Sequence, residues 1–379
     1  MKLQRNGRTK ALAIGAVALV SSLSLAACGS DNNTSKASTS SSAGGSASAA
    51  AIACASKQAP LLGAGSTAQN NAVDVWKNAF GAACSGSTLS YNGVGSGAGV
   101  QQFNQGKVTF AGSDSALKPT EVDASKAVCP GGQGIDLPMV GGLVSIVFNV
   151  SGVDKLTLDG PTVAKIFDSQ ITKWNDPAIA ALNPGVTLPA ADIQAFHRSD
   201  DSGTTQNLTA YLAKTSAGAW SYPASKTWAG KGGQSASGSA GVSSQVKTVP
   251  NSIGYAELSF AQTNNLKSAS INTGASKPVE ATAANAATTI GTAKVVGTGS
   301  DLALSLDYGT KTEGAYPIVL VTYEIACDKG NKADTLDTLK SFLNYTISDA
   351  GQQAIGDKGY VPLPAVVADK VKAVIPTLA

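Results

Sequence analysis

The sequence is short of charge, of histidine and of long apolar runs. Only 14% of its 379 residues are charged, against about a quarter in an average soluble domain. With 43% hydrophobic residues, that shortage excludes an unfolded, self-repelling chain. There is one histidine, His197, and no Cys-x-x-Cys pair, so the familiar zinc ligand spacings are missing. Beyond the N-terminal segment no apolar run is long enough to cross a bilayer, which leaves a globular body large enough for two domains. The formal charge of +3 is also misleading, because Lys2, Arg5, Arg8 and Lys10 lie in a segment that reads as removable. Removing those four from 28 leaves 24 basic residues against 25 acidic ones, a net charge of −1. That balance implies no nucleic-acid-binding or anionic-membrane surface.

The N-terminus reads as an export signal. Four positive charges within residues 1–10 precede an apolar stretch from Ala11 to Ala27 that is too short for a stable span. Residues 1–27 are therefore assigned to a signal peptide. Leu25-Ala26-Ala27-Cys28 resembles the lipobox of bacterial lipoproteins, which implies that Cys28 becomes the first mature residue and carries lipid. Residues 28–53 follow as a Ser/Ala/Gly tether with almost nothing to bury and a reach of about 28 Å. Four cysteines remain in the body, an even number that in an exported chain suggests two disulfides. Four cysteines allow three connectivities; the pairing expected here is Cys54–Cys84 and Cys129–Cys327.

From residue 54 onward strands and helices alternate. Leu61-Leu62 runs into Gly63-Ala64-Gly65-Ser66-Thr67, then Val73, Trp76 and Phe80 fall at helical spacing. Thr88 to Tyr91 reads as a strand, ending in the glycine turn Gly93–Gly99 ahead of a helix opening at Val100. Val108–Ala111 is a short strand, Val140–Val150 a long one, Ile193–Phe196 and Ile253–Tyr255 shorter ones, and Ile318–Ile325 a strong one. Helices are expected to start at Asp159-Gly160-Pro161 and Asn175-Asp176-Pro177, where a capping residue precedes proline, and to run over Thr205–Lys214, Val279–Ile290, Thr335–Tyr345, Asp349–Gly356 and Ala365–Val374. The pattern predicts an α/β fold of two lobes. Two proline-flanked apolar segments, near Pro138 and Pro317, are the expected crossings. Lobe I is then 54–138 plus 317–379, lobe II is 139–316, and the ligand lies between them.

Three turns share one design. Ser66-Thr67, Ser96-Gly97 and Ser202-Gly203-Thr204 each stand where a strand hands over to a helix. Each offers free backbone N–H groups, the positive end of a helix dipole and a hydroxyl. Arg198, four residues before Ser202, can aim its fork at an oxyanion held there, and Asp200 or Asp201 can orient it. Asp114 is the odd member, since a carboxylate repels a fully deprotonated oxyanion. It can, however, accept the proton that phosphate keeps near neutral pH and sulfate lacks. The competing reading makes Asp114 a helix N-cap or turn residue.

At these residues the chain becomes recognisable. Gly63–Thr67, Tyr91–Val100, Phe110–Asp114 and Arg198–Thr205, with Ile171-Thr172-Lys173-Trp174-Asn175-Asp176-Pro177, Leu182–Gly185 and Ile253-Gly254-Tyr255, run in the order of the substrate-binding protein of the bacterial phosphate ABC transporter, which the body resembles throughout. The resemblance implies a two-lobed, type II periplasmic-binding-protein architecture closing on its ligand. It implies that Thr67 and Ser96 bind phosphate, that Asp114 accepts the phosphate proton, and that Arg198, Ser202, Gly203 and Thr204 grip from the second lobe, with Asp200 pairing Arg198 and Ser66 and Gly97 in support. Departures are Ala68-Gln69, where the family often has an aromatic and proline, Asp201, where glycine is common, and Ser115. The expected function is high-affinity phosphate binding by a lipid-anchored, extracytoplasmic monomer that delivers phosphate to permease subunits, with no cofactor, metal or catalysis. The alternatives are a sulfate or molybdate binder, a phosphomonoesterase using Ser202 or Thr67 with His197 as base, and an adhesin or sensor on the same fold. No G-x-S-x-G elbow supports the esterase. His197 reads as a packed or surface residue, the four tryptophans as core or domain-edge residues, and Gly230–Gly241 as a surface loop or, alternatively, a helix N-terminus near the cleft.

Overall fold

A computed structural model of the protein describes residues 52–379; the signal-peptide, Cys28 and most of the tether assignments lie outside them. Ile52 and Ala53, the end of the expected tether, are held by the body: Ile52 packs against the core and the Ala53 carbonyl accepts from Ser341 Oγ.

The first unit alternates strand and helix: β1 Leu61–Gly65, α1 Asn70–Ala83, β2 Leu89–Gly93, α2 Ser96–Asn104, β3 Phe110–Ser113 and α3 Pro119–Ser125. β1 lies between β2 and β3, parallel to both. Its end comes close to α2 because the residues in contact are glycines. A Cβ on Gly65, whose φ is +147°, falls 2.0 Å from the Gly112 carbonyl oxygen, and one on Gly99 falls 2.3 Å from Gly65 Cα. Lys118 caps α3 with Pro119 at its first position and Glu121 reaching back to the Lys118 N–H.

β4, Gly134–Asn149, is sixteen residues long and buried at every position but the last, as a strand covered on both faces should be. It begins before Pro138, which the sequence placed outside the strand. Proline lacks the N–H that continuous pairing needs, and the ladder shifts register beside it, between Thr322 and Tyr323 of the partner strand. After β5 Thr157–Asp159 come α4 Gly160–Phe167 and α5 Pro177–Leu182, capped by Asp159 and Asp176 as expected. Then follow β6 Gln194–Arg198, α6 Gly203–Thr215, β7 Gln234–Ala236, α7 Gly238–Thr248, β8 Ser252–Glu257 and α8 Leu258–Thr263. The loop reading of Gly230–Gly241 is thus corrected: Gln234–Ala236 extends the sheet by pairing with β6, and Gly238 opens α7.

Short strands β9 Lys267–Ser268, β10 Ser270–Asn272, β11 Lys294–Val295 and β12 Leu304–Ser305 flank α9 Ala283–Ile290. That helix is shorter than expected, because Val279 bridges back to Ile271 and Thr282 caps the helix through the Asn285 N–H. The chain ends with β13 Val319–Cys327, α10 Leu336–Ile347, α11 Asp349–Gly356 and α12 Ala365–Val374.

Nine strands form one curled mixed sheet in the order β2-β1-β3-β13-β4-β8-β6-β7, with β9 beside β4, while β5 pairs with β10 and β11 with β12 in two small sheets. β4 changes neighbours along its length: Gly134–Leu143 pairs with β13, and Val144–Asn149 pairs with β8 on one side while Val147 and Phe148 pair with β9 on the other. Trp76, Trp174, Tyr211, Tyr255, Tyr316 and Tyr360 are buried in the core along this sheet. The disulfides are Cys54–Cys84 and Cys129–Cys327, as expected. Among the described residues no helix is long and apolar enough to cross a membrane.

Candidate functional site

The ends of β1, β2, β3 and β6 bring the three turns and Asp114 to one place, together with the start of α7. Asp114 follows β3 directly, in a bend, and caps no helix, which removes the N-cap reading. Its Oδ1 accepts from Ser66 Oγ at 2.5 Å and Thr322 Oγ1 at 2.8 Å, and its Oδ2 accepts from Thr204 Oγ1 at 3.1 Å. Ser96 Oγ accepts from both the Asp114 and Gly203 N–H groups, at 3.2 and 3.1 Å. Gly203 must be glycine for this approach: a Cβ there lies 2.7 Å from both Asp114 Cβ and Ser96 Oγ. Gly97 N–H donates to the Asp201 carbonyl at 2.9 Å.

Arg198 ends β6. Its Nε donates to Asp200 Oδ1 at 2.7 Å, its Nη2 to Asp200 Oδ2, and its Nη1 lies 3.4 Å from Ser239 Oγ. Asp200 Oδ1 also accepts the Gly238 N–H at 3.0 Å. Ser202 Oγ caps α6 by accepting the Thr205 N–H. Thr67 Oγ1 accepts from the Ser239 N–H at 3.0 Å, with the two hydroxyls also 3.0 Å apart. Ser66, Thr67, Ser96, Asp114, Arg198, Ser202, Thr204 and Ser239 are all buried.

Thr67, Ser96, Asp114, Arg198, Ser202, Gly203 and Thr204, with Ser66, Gly97 and Asp200, are therefore brought together here. Ser239, Thr322 and Asn207, whose side chain donates to the Asp114 carbonyl at 2.7 Å, were missed. Ser239 had a signal: Val242 and Val246 stand one helical turn apart after Ser237-Gly238-Ser239. Thr322, inside an apolar strand, had none.

Burial raises the Asp114 carboxyl above its usual range, opposed by the hydroxyls of Ser66, Thr322 and Thr204 and by the Arg198 charge. At Asp200 burial also pushes upward, but the Arg198 fork, its charge and the Gly238 N–H prevail and the carboxyl is lowered. Two further acids lie behind the site, Glu257 and Glu324, both fully buried and both held well above the ordinary range by desolvation, with the Asp114 charge adding to it. The arrangement offers hydroxyls, the ends of α6 and α7, a guanidinium already aligned by its own carboxylate, and one acceptor, Asp114. His197 lies apart from it, with its ring stacked on Trp228 at 4.8 Å and Nδ1 3.0 Å from the Arg198 carbonyl. Among the described residues no group of three or more His, Cys, Asp or Glu side chains is placed to hold a metal ion.

The fold is a two-lobed periplasmic-binding-protein fold, and residues 33–350 match the PBP superfamily domain. The chain is 42% identical to phosphate-binding protein PstS3 of Mycobacterium bovis (strain BCG / Pasteur 1173P2), over 96% of each chain. It is 41% identical to phosphate-binding protein PstS 2 of Mycobacterium tuberculosis (strain ATCC 25618 / H37Rv), over 99% of each. A high affinity periplasmic phosphate-binding protein (PfluDING), solved with phosphate bound, superposes with a TM-score of 0.68 at 24% identity, covering 83% of this chain and 93% of that one. This chain belongs to the PstS family of phosphate-binding proteins, the substrate-binding components of phosphate ABC transporters.

Proposed function

We propose that the protein binds inorganic phosphate at this site and hands it to the permease subunits of a phosphate ABC transporter, without chemical change to the ligand. The observation that carries the reading is Asp114, a buried acceptor set among donors. A ligand that is all acceptor, such as sulfate, leaves that carboxylate facing an anion, whereas phosphate brings a proton to it. Thr67, Ser96, Arg198, Ser202, Gly203 and Thr204 supply donors, and Asp200 fixes the direction of the Arg198 fork. Ser66 and Gly97 hold the turns, and Ser239 joins the set through Thr67. The relatives named above, called phosphate-binding proteins, support the same ligand.

The lobes of this reading are 54–138 with 317–379, and 139–316, joined where β4 and β13 pass between them. Cys28 carries lipid outside the cytoplasmic membrane, and residues 29–51 tether the body to it. Calorimetric titration of refolded, ligand-stripped protein tests the reading: one-to-one phosphate binding that excess sulfate does not displace is expected. Absence of phosphate heat from folded protein, or displacement by sulfate, contradicts it. The esterase alternative requires turnover of a chromogenic phosphate ester that His197→Ala abolishes; the stacked, carbonyl-bonded His197 argues against it.

A further inference from the structure

Lys226 and Glu121 stand 105 residues apart and outside the cluster around Asp114, yet Lys226 Nζ lies 2.9 Å from Glu121 Oε1. Of the six ion pairs among the described residues, four join well-exposed side chains, and one is the Arg198–Asp200 pair of the site. The sixth is this one, with side-chain exposures of 5% for Lys226 and 22% for Glu121. A lysine buried this far is costly without its partner, so the pairing needs a structural reason.

Both partners are anchored in ways that tie them to the site. Glu121 is fixed to the start of α3 by its other oxygen, which accepts the Lys118 N–H at 2.8 Å. The Lys226 carbonyl accepts the Ser202 N–H at 2.9 Å, and Thr227 Oγ1 donates to Asp201 Oδ1 at 2.6 Å. The segment 226–227 thus backs the turn that carries Ser202, Gly203 and Thr204, and its lysine side chain reaches across to α3. Gly97 to Asp201 and Gly203 to Ser96 cross the same seam. Neither charged group bonds to Asp114 or Arg198, so the pair adds nothing to the choice of anion.

We infer that the Glu121–Lys226 ion pair is a positioning contact that holds the Asp201–Thr204 turn shut over the bound anion, lengthening the stay of phosphate without setting the preference for it. Separating the two sides of the seam exposes a lysine and a glutamate whose attraction is realised only when the sides meet. The contact therefore acts on release. This inference rests on the phosphate reading of the site.

The test is stopped-flow phosphate release from the loaded protein. Glu121→Gln keeps an acceptor for the Lys118 N–H, and Lys226→Met keeps the apolar stem. Each single change is expected to speed release about tenfold or more, and the double variant no more than the worse single one, because the two residues act as one contact. Association and the phosphate-over-sulfate ratio stay within about threefold of the parent, since breaking a buried charge pair acts chiefly on dissociation. Should Lys226→Met fail to fold, Glu121→Gln carries the test alone. Release rates within about twofold of the parent, additive single effects, or a changed anion ratio overturn the inference. If the parent protein binds no phosphate, the reading of the site falls as well; binding with unaltered release removes only the ion-pair contact.

Discussion

Replacing Arg198 by methionine tests the site at its only guanidinium. In the structure the Arg198 fork occupies both oxygens of Asp200, and Arg198 itself is 2% exposed. Deleting one partner of a buried pair costs about 3–5 kcal/mol, because the other charge is left behind. Asp200 keeps the Gly238 N–H, and its side chain is 17% exposed, which puts the expected loss near the lower bound, about 3 kcal/mol at pH 7. The pH dependence carries a definite sign. Asp200 sits below its ordinary range in the folded protein, so its contribution is full above the unfolded value of about 4 and is lost as pH falls through the folded one. The parent and Arg198→Met curves should therefore converge in acid. Urea unfolding from pH 3 to 7 reads this directly. Adding Asp200→Asn to Arg198→Met should restore most of the stability and none of the phosphate affinity, which falls roughly 10- to 150-fold for the loss of a charged hydrogen bond worth about 1.5–3 kcal/mol. A loss under about 1 kcal/mol, or a double variant no more stable than the single, refutes the claim that Asp200 is held by Arg198.

Other perturbations have equally definite outcomes. Gly203→Ala places a Cβ 2.7 Å from Asp114 and Ser96; it should weaken phosphate binding by about tenfold or more through an overpacking penalty of about 1–3 kcal/mol at the turn, read by calorimetry beside a melting curve. Glu324 has both carboxyl oxygens without a hydrogen-bond partner and is held well above its usual range by burial. Its contribution is complete below the unfolded value near 4 and is lost as pH rises, so Glu324→Gln should gain stability over the parent between pH 5 and 8 in urea unfolding. Removing Cys129–Cys327, which spans 198 residues, should destabilise the protein more than removing Cys54–Cys84, which spans 30. Chain entropy alone puts the losses at about 5 and about 4 kcal/mol, to be compared in denaturant titrations of the paired serine variants.

Much of this molecule was legible in its sequence because its key residues sit at helix starts. Asp159-Gly160-Pro161 and Asp176-Pro177 carry their caps in the local sequence, and the serine-rich turns before α2 and α6 announce free N–H groups in the same way. Local signals fail where long-range pairing decides. Pro138 lies inside β4 only because β13 shifts register beside it. Val279 leaves a helical run to bridge Ile271. Gln234–Ala236 is strand because β6 presents an open edge to it, whereas the start of α7 is the helix N-terminus that the Gly/Ser stretch 230–241 offered as its alternative reading. Thr322 and Glu324 were invisible for another reason: a polar residue in an apolar strand gives no sign of which neighbour it will meet until the sheet order is known.

The preference for a protonated anion is the centre of the account, and Asp114→Asn measures it most directly. Phosphate and sulfate affinities of parent and variant, taken by calorimetry at one pH, give the ratio that the carboxylate is said to set. Asparagine keeps the size of the side chain and removes its charge. The account predicts that the variant loses phosphate affinity, gains sulfate affinity and so sees the phosphate-over-sulfate ratio collapse. A ratio unchanged from the parent would contradict it and leave the discrimination to the donors alone.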